Sequence, residues 1–165
     1  MKAIVINLRA TGVIENTTTR PERQPEVIEF AAIGVDWDVT KISYGYQILI
    51  RPSRWRHTPE RQPFSAHAET IRSLIEDGDI VVGHQLAAEM EMIDLEFSRL
   101  GRKIAWPRHK ICIMEQSVQL AGRQLELREL HKQLIGRDYK NARHVMADIA
   151  ATLRCLREMR RRDLV

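Results

Sequence analysis

The chain has 165 residues, 44% of them hydrophobic, with 26 Lys and Arg against 22 Asp and Glu for a net charge of +4. That size suits one compact domain over residues 1–165, able to bury roughly two-thirds of the surface its unfolded form exposes. No segment approaches the roughly 20 apolar residues of a membrane span, and the N-terminal apolar run, broken by Asn7 and Arg9, is too short for a secretory core, so a cytoplasmic protein without a membrane partner is expected.

Ala3 to Leu8 is a short β-branched apolar run that stops near Gly12, the pattern of a buried central strand whose polar tail points into a cleft. Residues 13–25, rich in Thr, Pro and charge, form a surface turn; Asn16-Thr17-Thr18 matches a glycosylation acceptor that a cytoplasmic protein would not use. Glu26 to Asp36 reads as a second strand suited to packing on both faces, and Ser43 to Ile50 as a third, giving the sheet an antiparallel start.

Residues 52–63 form a basic loop carrying Trp55, and a helix follows from Ser65 or Ala66 to Glu76. Ile80 to Gly83 is a buried strand. Leu86 to Leu100 is an amphipathic helix with Gly101 as its stop. Ile111 to Met114 predicts a fifth strand, with helices near Glu115 to Ala121, Leu125 to Ile135 and Asn141 to Arg162. Strands that first pair antiparallel and then alternate with helices predict an α/β fold, a mixed five-stranded sheet flanked by helices.

Cys112 and Cys155 sit in apolar periodic segments without metal-ligand spacing and read as buried hydrophobes. Basic residues gather at Arg51, Arg54, Arg56, His57 and Arg61, around Arg99 to Lys110, and in the tail from Arg154 to Arg162. Such clusters either track a phosphate backbone or make solvated faces.

Five stretches together resemble the DEDDh exonucleases, the 3′-to-5′ nuclease family of the bacterial proofreading subunit and ribonuclease T. Ile4-Val5-Ile6-Asn7-Leu8-Arg9-Ala10-Thr11-Gly12 is similar to the family's first motif, apolar-apolar-Asp-x-Glu-Thr-Thr-Gly, and Glu26 to Ile33 to its second strand. Val82-Gly83-His84-Gln85-Leu86-Ala87-Ala88-Glu89 resembles Val-Gly-His-Asn-x-x-Phe-Asp, and Ile111 to Met114 a Cys-Thr-Met run. Asn141 to Thr152 resembles Ala-His-x-Ala-x-x-Asp followed by Ala-Thr. The likeness covers nearly the whole chain in the family's order and implies the ribonuclease H-like fold.

In that family four carboxylates hold two divalent cations that clamp the attacking and leaving oxygens of a phosphodiester, while a His prepares the water. Here the first two acids are Asn7 and Arg9, the third is Glu89 where Asp is usual, the His is Arg143, and Asp148 is intact. A guanidinium cannot ligate a cation. At an effective dielectric near 20, its charge roughly 5 Å from a dication costs about 6 to 7 kcal/mol. His144, one residue from the family's His, is rotated about 100° along a helix and is expected to pair locally with Asp148.

The resemblance therefore implies a pseudoenzyme: a degenerate, nuclease-inactive 3′-to-5′ exonuclease-like protein without a cofactor, binding single-stranded nucleic acid in the former substrate groove. Arg9, Arg51, Arg54, Trp55, Arg56, Arg61, His84 and Arg143 are its candidate contacts. Within the site, Arg9 is expected to form a salt bridge with Asp148 or Glu89, filling the metal position. Two alternatives stay open: a protein-interaction or decoy module, with a protein partner or a homodimer face, and an active exonuclease using Mg or Mn on Glu89 and Asp148.

Overall fold

β1 (Lys2–Ala10) lies third in a five-stranded sheet of order β3-β2-β1-β4-β5, the central place its apolar run predicts. The structure, a computed structural model, describes residues 1–15, 20–55 and 58–165. β2 (Val27–Asp36) pairs antiparallel with β1, Val5 opposite Ile33, and β3 (Ile42–Leu49) pairs antiparallel with β2. On the other side β4 (Ile80–Gly83) runs parallel to β1, and β5 (His109–Cys112) parallel to β4. This is the mixed sheet of the ribonuclease H-like fold.

Because side chains alternate along a strand, β1 serves two cores. Ala3 and Val5 join Ala31, Ile33, Val82, Ile149 and Leu156 under α5 (Leu127–Ile135) and α6 (Val145–Arg161). Ile4 and Ile6 join Phe30, Val81, Ile71, Ile93 and Phe97 under α1 (Phe64–Glu76) and α2 (Leu86–Arg99). Burial on both faces explains why β2 is built from β-branched and small residues, with nine of its ten positions buried. The same alternation sends Asn7 and Arg9 toward the α6 side, one and two steps beyond Val5.

Several boundaries differ from the sequence reading. The fifth strand ends at Cys112, where Ile111 to Met114 was expected, because its extent is set by pairing with four-residue β4; Ile113 already opens α3 (Ile113–Gln116), followed by α4 (Val118–Ala121). The last helix begins at Val145 and not at Asn141, since Asn141 and Arg143 adopt left-handed backbone with φ of 58° and 70°. Gly101, with φ of 64°, does end α2 as expected. Cys112 and Cys155 are buried free thiols.

The basic tail largely makes contacts within the chain. Arg157 donates from Nε and Nη2 to the Val39 carbonyl at 3.0 and 2.7 Å. Arg160 reaches Asp38 at 3.0 Å and stacks 4.2 Å from the Trp37 ring, while Arg161 and Arg162 both bind Glu158. Arg157 and Arg160 fasten α6 to the β2–β3 turn, and Arg161 and Arg162 pair with Glu158 at its end.

Candidate functional site

The carboxyl ends of β1 and β4 open into a cleft of about 860 Å³ roofed by α2 and the start of α6. Six of the sequence-predicted residues line it: Asn7, Arg9, His84, Glu89, Arg143 and Asp148. Strand β1 brings Asn7 and Arg9, His84 follows the end of β4, the first turn of α2 carries Glu89, and the first turn of α6 carries Asp148.

Glu89 is 7% exposed, and its Oε2 atom has no hydrogen-bond partner among the described residues. It fits there because Gly83 has no side chain: a Cβ at that position would stand 2.2 Å from Oε2. Burial, reinforced by the charge of Asp148, pushes the Glu89 carboxyl up to about 8, so at neutral pH it carries its proton. The helix N-terminus would favour a carboxylate, but desolvation outweighs it.

Asp148 is engaged differently. Its Oδ1 accepts from the Tyr139 hydroxyl at 2.7 Å and from the Arg143 backbone N–H at 3.0 Å. The second contact holds the left-handed turn before α6, so the carboxylate fixes the position where the family carries its His. Burial and the Asp148 carboxylate push the Tyr139 hydroxyl well above its usual range, which keeps it a proton donor. Tyr139→Phe should therefore cost about 1.5 to 3 kcal/mol, the range for a hydrogen bond to a charged group, read from urea unfolding midpoints.

The expected bridge from Arg9 to Asp148 or Glu89 is not formed. Arg9 instead approaches Glu29, its directly opposite neighbour on β2, with Nη1 at 3.6 Å from Oε2. Glu29 is buried and accepts from Gln47 at 2.7 Å. Cross-strand pairing delivers Glu29 to Arg9 at contact distance without any loop rearrangement, whereas Glu89 and Asp148 must be reached across the cleft. The Arg9 side chain is 51% exposed, so solvent also screens its repulsion for a cation in the cleft.

His84 is buried, with Nε2 at 2.9 Å from the Leu125 carbonyl, and burial holds it below the usual histidine range. It anchors the segment before α5. His144 is the N-cap residue of α6 and is exposed; its carbonyl accepts from the Asp148 N–H, and the side-chain pair expected between them is replaced by Tyr139 and Arg143.

The remaining candidates lie beside the cleft. Arg54 and Trp55 line a depression that shares Gly12 and Val13 with it, and Arg51 and Trp55 line a second one against Phe64 and Arg99. Trp55 is 41% exposed, and Arg54 donates to the Glu22 carbonyl at 3.0 Å. Arg61 follows in the next turn. Arg56, His57 and the Asn16-Thr17-Thr18 acceptor lie outside the described residues. Tyr139 is the site residue that the motifs missed; a tyrosine in a polar loop between two helices carries no periodic signal, and only the fold brings it to Asp148.

The donor set can be weighed against the metals that the resemblance implies. Of the four family positions, two keep a carboxyl, Glu89 and Asp148, the latter with an oxygen already taken by two donors, and the others are an amide and a guanidinium. No cluster of three His, Cys, Asp or Glu suited to a metal occurs among the described residues. This set does not fit a pair of divalent cations.

No family model matches the chain. Among solved structures, it superposes on Escherichia coli exonuclease I in complex with a dT13 oligonucleotide with a TM-score of 0.77 at 15% identity, covering 98% of this chain and 41% of that one. It superposes on the nuclease domain of 3′hExo, a DEDDh family member bound to rAMP, with a TM-score of 0.71 at 14% identity, covering 98% and 92%. The chain thus has the fold of the DEDDh exonucleases. A curated sequence relative is human glycerate kinase, 29% identical over 108 residues; the match covers 61% of this chain and 18% of that protein. The chain spans under a fifth of the kinase, whose activity is not carried over. No helix among the described residues is long and apolar enough to cross a membrane.

Proposed function

We propose that this protein is a catalytically degenerate exonuclease-like protein that binds single-stranded nucleic acid in the cleft at the end of β1. The observation that carries the reading is the charge arrangement there. Arg143, exposed on the cleft wall, has no acidic partner among the described residues, and Arg9 adds a second guanidinium. Burial neutralises Glu89 and so removes one of the charges that would repel phosphate, leaving Glu91, Glu126 and Asp148 as the acids on the cleft. The apolar wall of Leu8, Val13 and Ile14 offers bases a surface to lie against, and Trp55, just beyond Val13, offers an aromatic one. The reading takes residues 1–165 as one domain of a cytoplasmic protein acting without a cofactor.

The likeness to exonuclease I with its bound oligonucleotide supports this use of the cleft. Fluorescence anisotropy with labelled oligo-dT over a salt series tests it. Arg143→Glu should weaken binding and flatten the log–log salt slope by about 0.7 for each phosphate no longer neutralised. The pair Arg54→Glu and Arg56→Glu should do the same if the strand continues past Gly12. Binding indifferent to salt and to Arg143 would reject the cleft as a nucleic-acid site, and Mn²⁺-dependent shortening of a 3′-labelled oligonucleotide would reject degeneracy.

A further inference from the structure

We propose that the depression between α5, α6 and residues 137–140, on the far side of Tyr139 from the cleft, binds a phosphate group. It encloses about 430 Å³, and its cations are Arg137, Lys140 and Arg154. Its one acid, Asp138, is already bound by Arg128, so it does not neutralise them. Arg137 and Lys140 have no acidic partner among the described residues, and Arg154 differs from the arginines that follow it on α6, which are spent on Val39, Asp38 and Glu158.

The floor is built rather than incidental. His131 is 1% exposed, and its Nδ1 lies 2.8 Å from the Arg137 carbonyl, which requires that nitrogen to donate. Nε2 is then the acceptor, and Arg154 Nη1 reaches it at 3.4 Å. That contact orients the guanidinium over the depression while leaving its other N–H groups for a ligand. Ala147 and Ala150, with no atoms beyond Cβ, leave the α6 wall open. Three donors of one sign around a concave floor, with two methyl walls, match a tetrahedral oxyanion better than a carboxylate, which two donors satisfy. The phosphate belongs either to a small anion or to a nucleic-acid strand.

The test is a ¹H–¹⁵N NMR titration of the full chain with inorganic phosphate, against sodium chloride at equal ionic strength. Saturating shifts at His131, Tyr139, Ala147 and Ala150 are expected with phosphate and not with chloride. Lys140→Gln with Arg154→Gln should weaken binding at least tenfold, the effect of losing one charge-assisted hydrogen bond. Ala150→Leu, which fills the depression without altering charge, should block it. Adding oligo-dT then separates the sources: displacement of phosphate assigns the site to a strand, and binding without displacement assigns it to a small anion. Shifts that do not saturate, or that survive both variants, would overturn the proposal. Since the phosphate arm uses no nucleic acid, its outcome is independent of the cleft's function.

Discussion

Stability should fall as pH rises from about 5 to 9, and Glu89→Gln should abolish most of that fall. An acid whose pKa is raised by folding binds its proton in the folded chain over a range where the unfolded chain has released it. Its contribution is therefore intact below the ordinary glutamate value and is lost as pH climbs through about 8. The full loss is on the order of 5 kcal/mol. Glu96, also raised by burial, acts in the same direction, whereas His84, held neutral by burial, acts oppositely near pH 6.5. Both are shared by wild type and variant, so the difference between their urea midpoints isolates Glu89. The glutamine should be close to neutral at pH 5 and stabilising by several kcal/mol at pH 9. A variant no more stable than wild type at pH 9 would mean that the Glu89 carboxyl finds a partner or water that keeps it ionised.

Rebuilding the lost acids should fail in a specific way. Asn7→Asp with Arg9→Glu restores the family's carboxylates, but the new glutamate would stand directly opposite buried Glu29. Two like charges opposite each other on neighbouring strands repel, and Glu29 would lose its cationic neighbour. Because Arg9 is half-exposed, the cost should lie below that of a fully buried pair, at about 2 to 3 kcal/mol. The double variant should melt early and gain little from Mn²⁺. Adding Glu29→Gln removes the conflict, and the triple variant should then be stabilised by Mn²⁺, by about 2.7 kcal/mol at a hundredfold excess over Kd. Thermal melts with and without the ion read both effects. A double variant as stable as wild type would reduce the Arg9–Glu29 contact to a solvated surface pair.

Much of the architecture is legible in the sequence because alternation and helical spacing record burial directly. Residues Ala3 to Leu8 declare a central strand, and the Gly83 to Glu89 stretch declares a strand-to-helix junction whose glycine makes room for the carboxyl. What the sequence does not carry is partner choice. The motif sets Arg9 against its own acids, but antiparallel register supplies Glu29, which lies on the next strand and outside the catalytic positions. The α6 boundary fails for a related reason: Asn141 to His144 has helical composition, yet Asp148 reaches back to bind Arg143 and holds two left-handed residues in place. Likewise, the arginine-rich tail resembles a polyelectrolyte by composition, and only the position of the β2–β3 turn reveals that Arg157 and Arg160 are engaged there.

That tail has a mechanical meaning as well. Helix α6 is clamped at its start by Asp148 and at its end by Arg157 and Arg160, the latter onto a turn more than a hundred residues earlier in the chain. A beam held at both ends cannot slide or pivot without breaking one clamp. The cleft wall it forms is thus a fixed jaw, and any closing around a bound strand would have to come from the opposite side, where residues 11–15 carry no such fastening to α6.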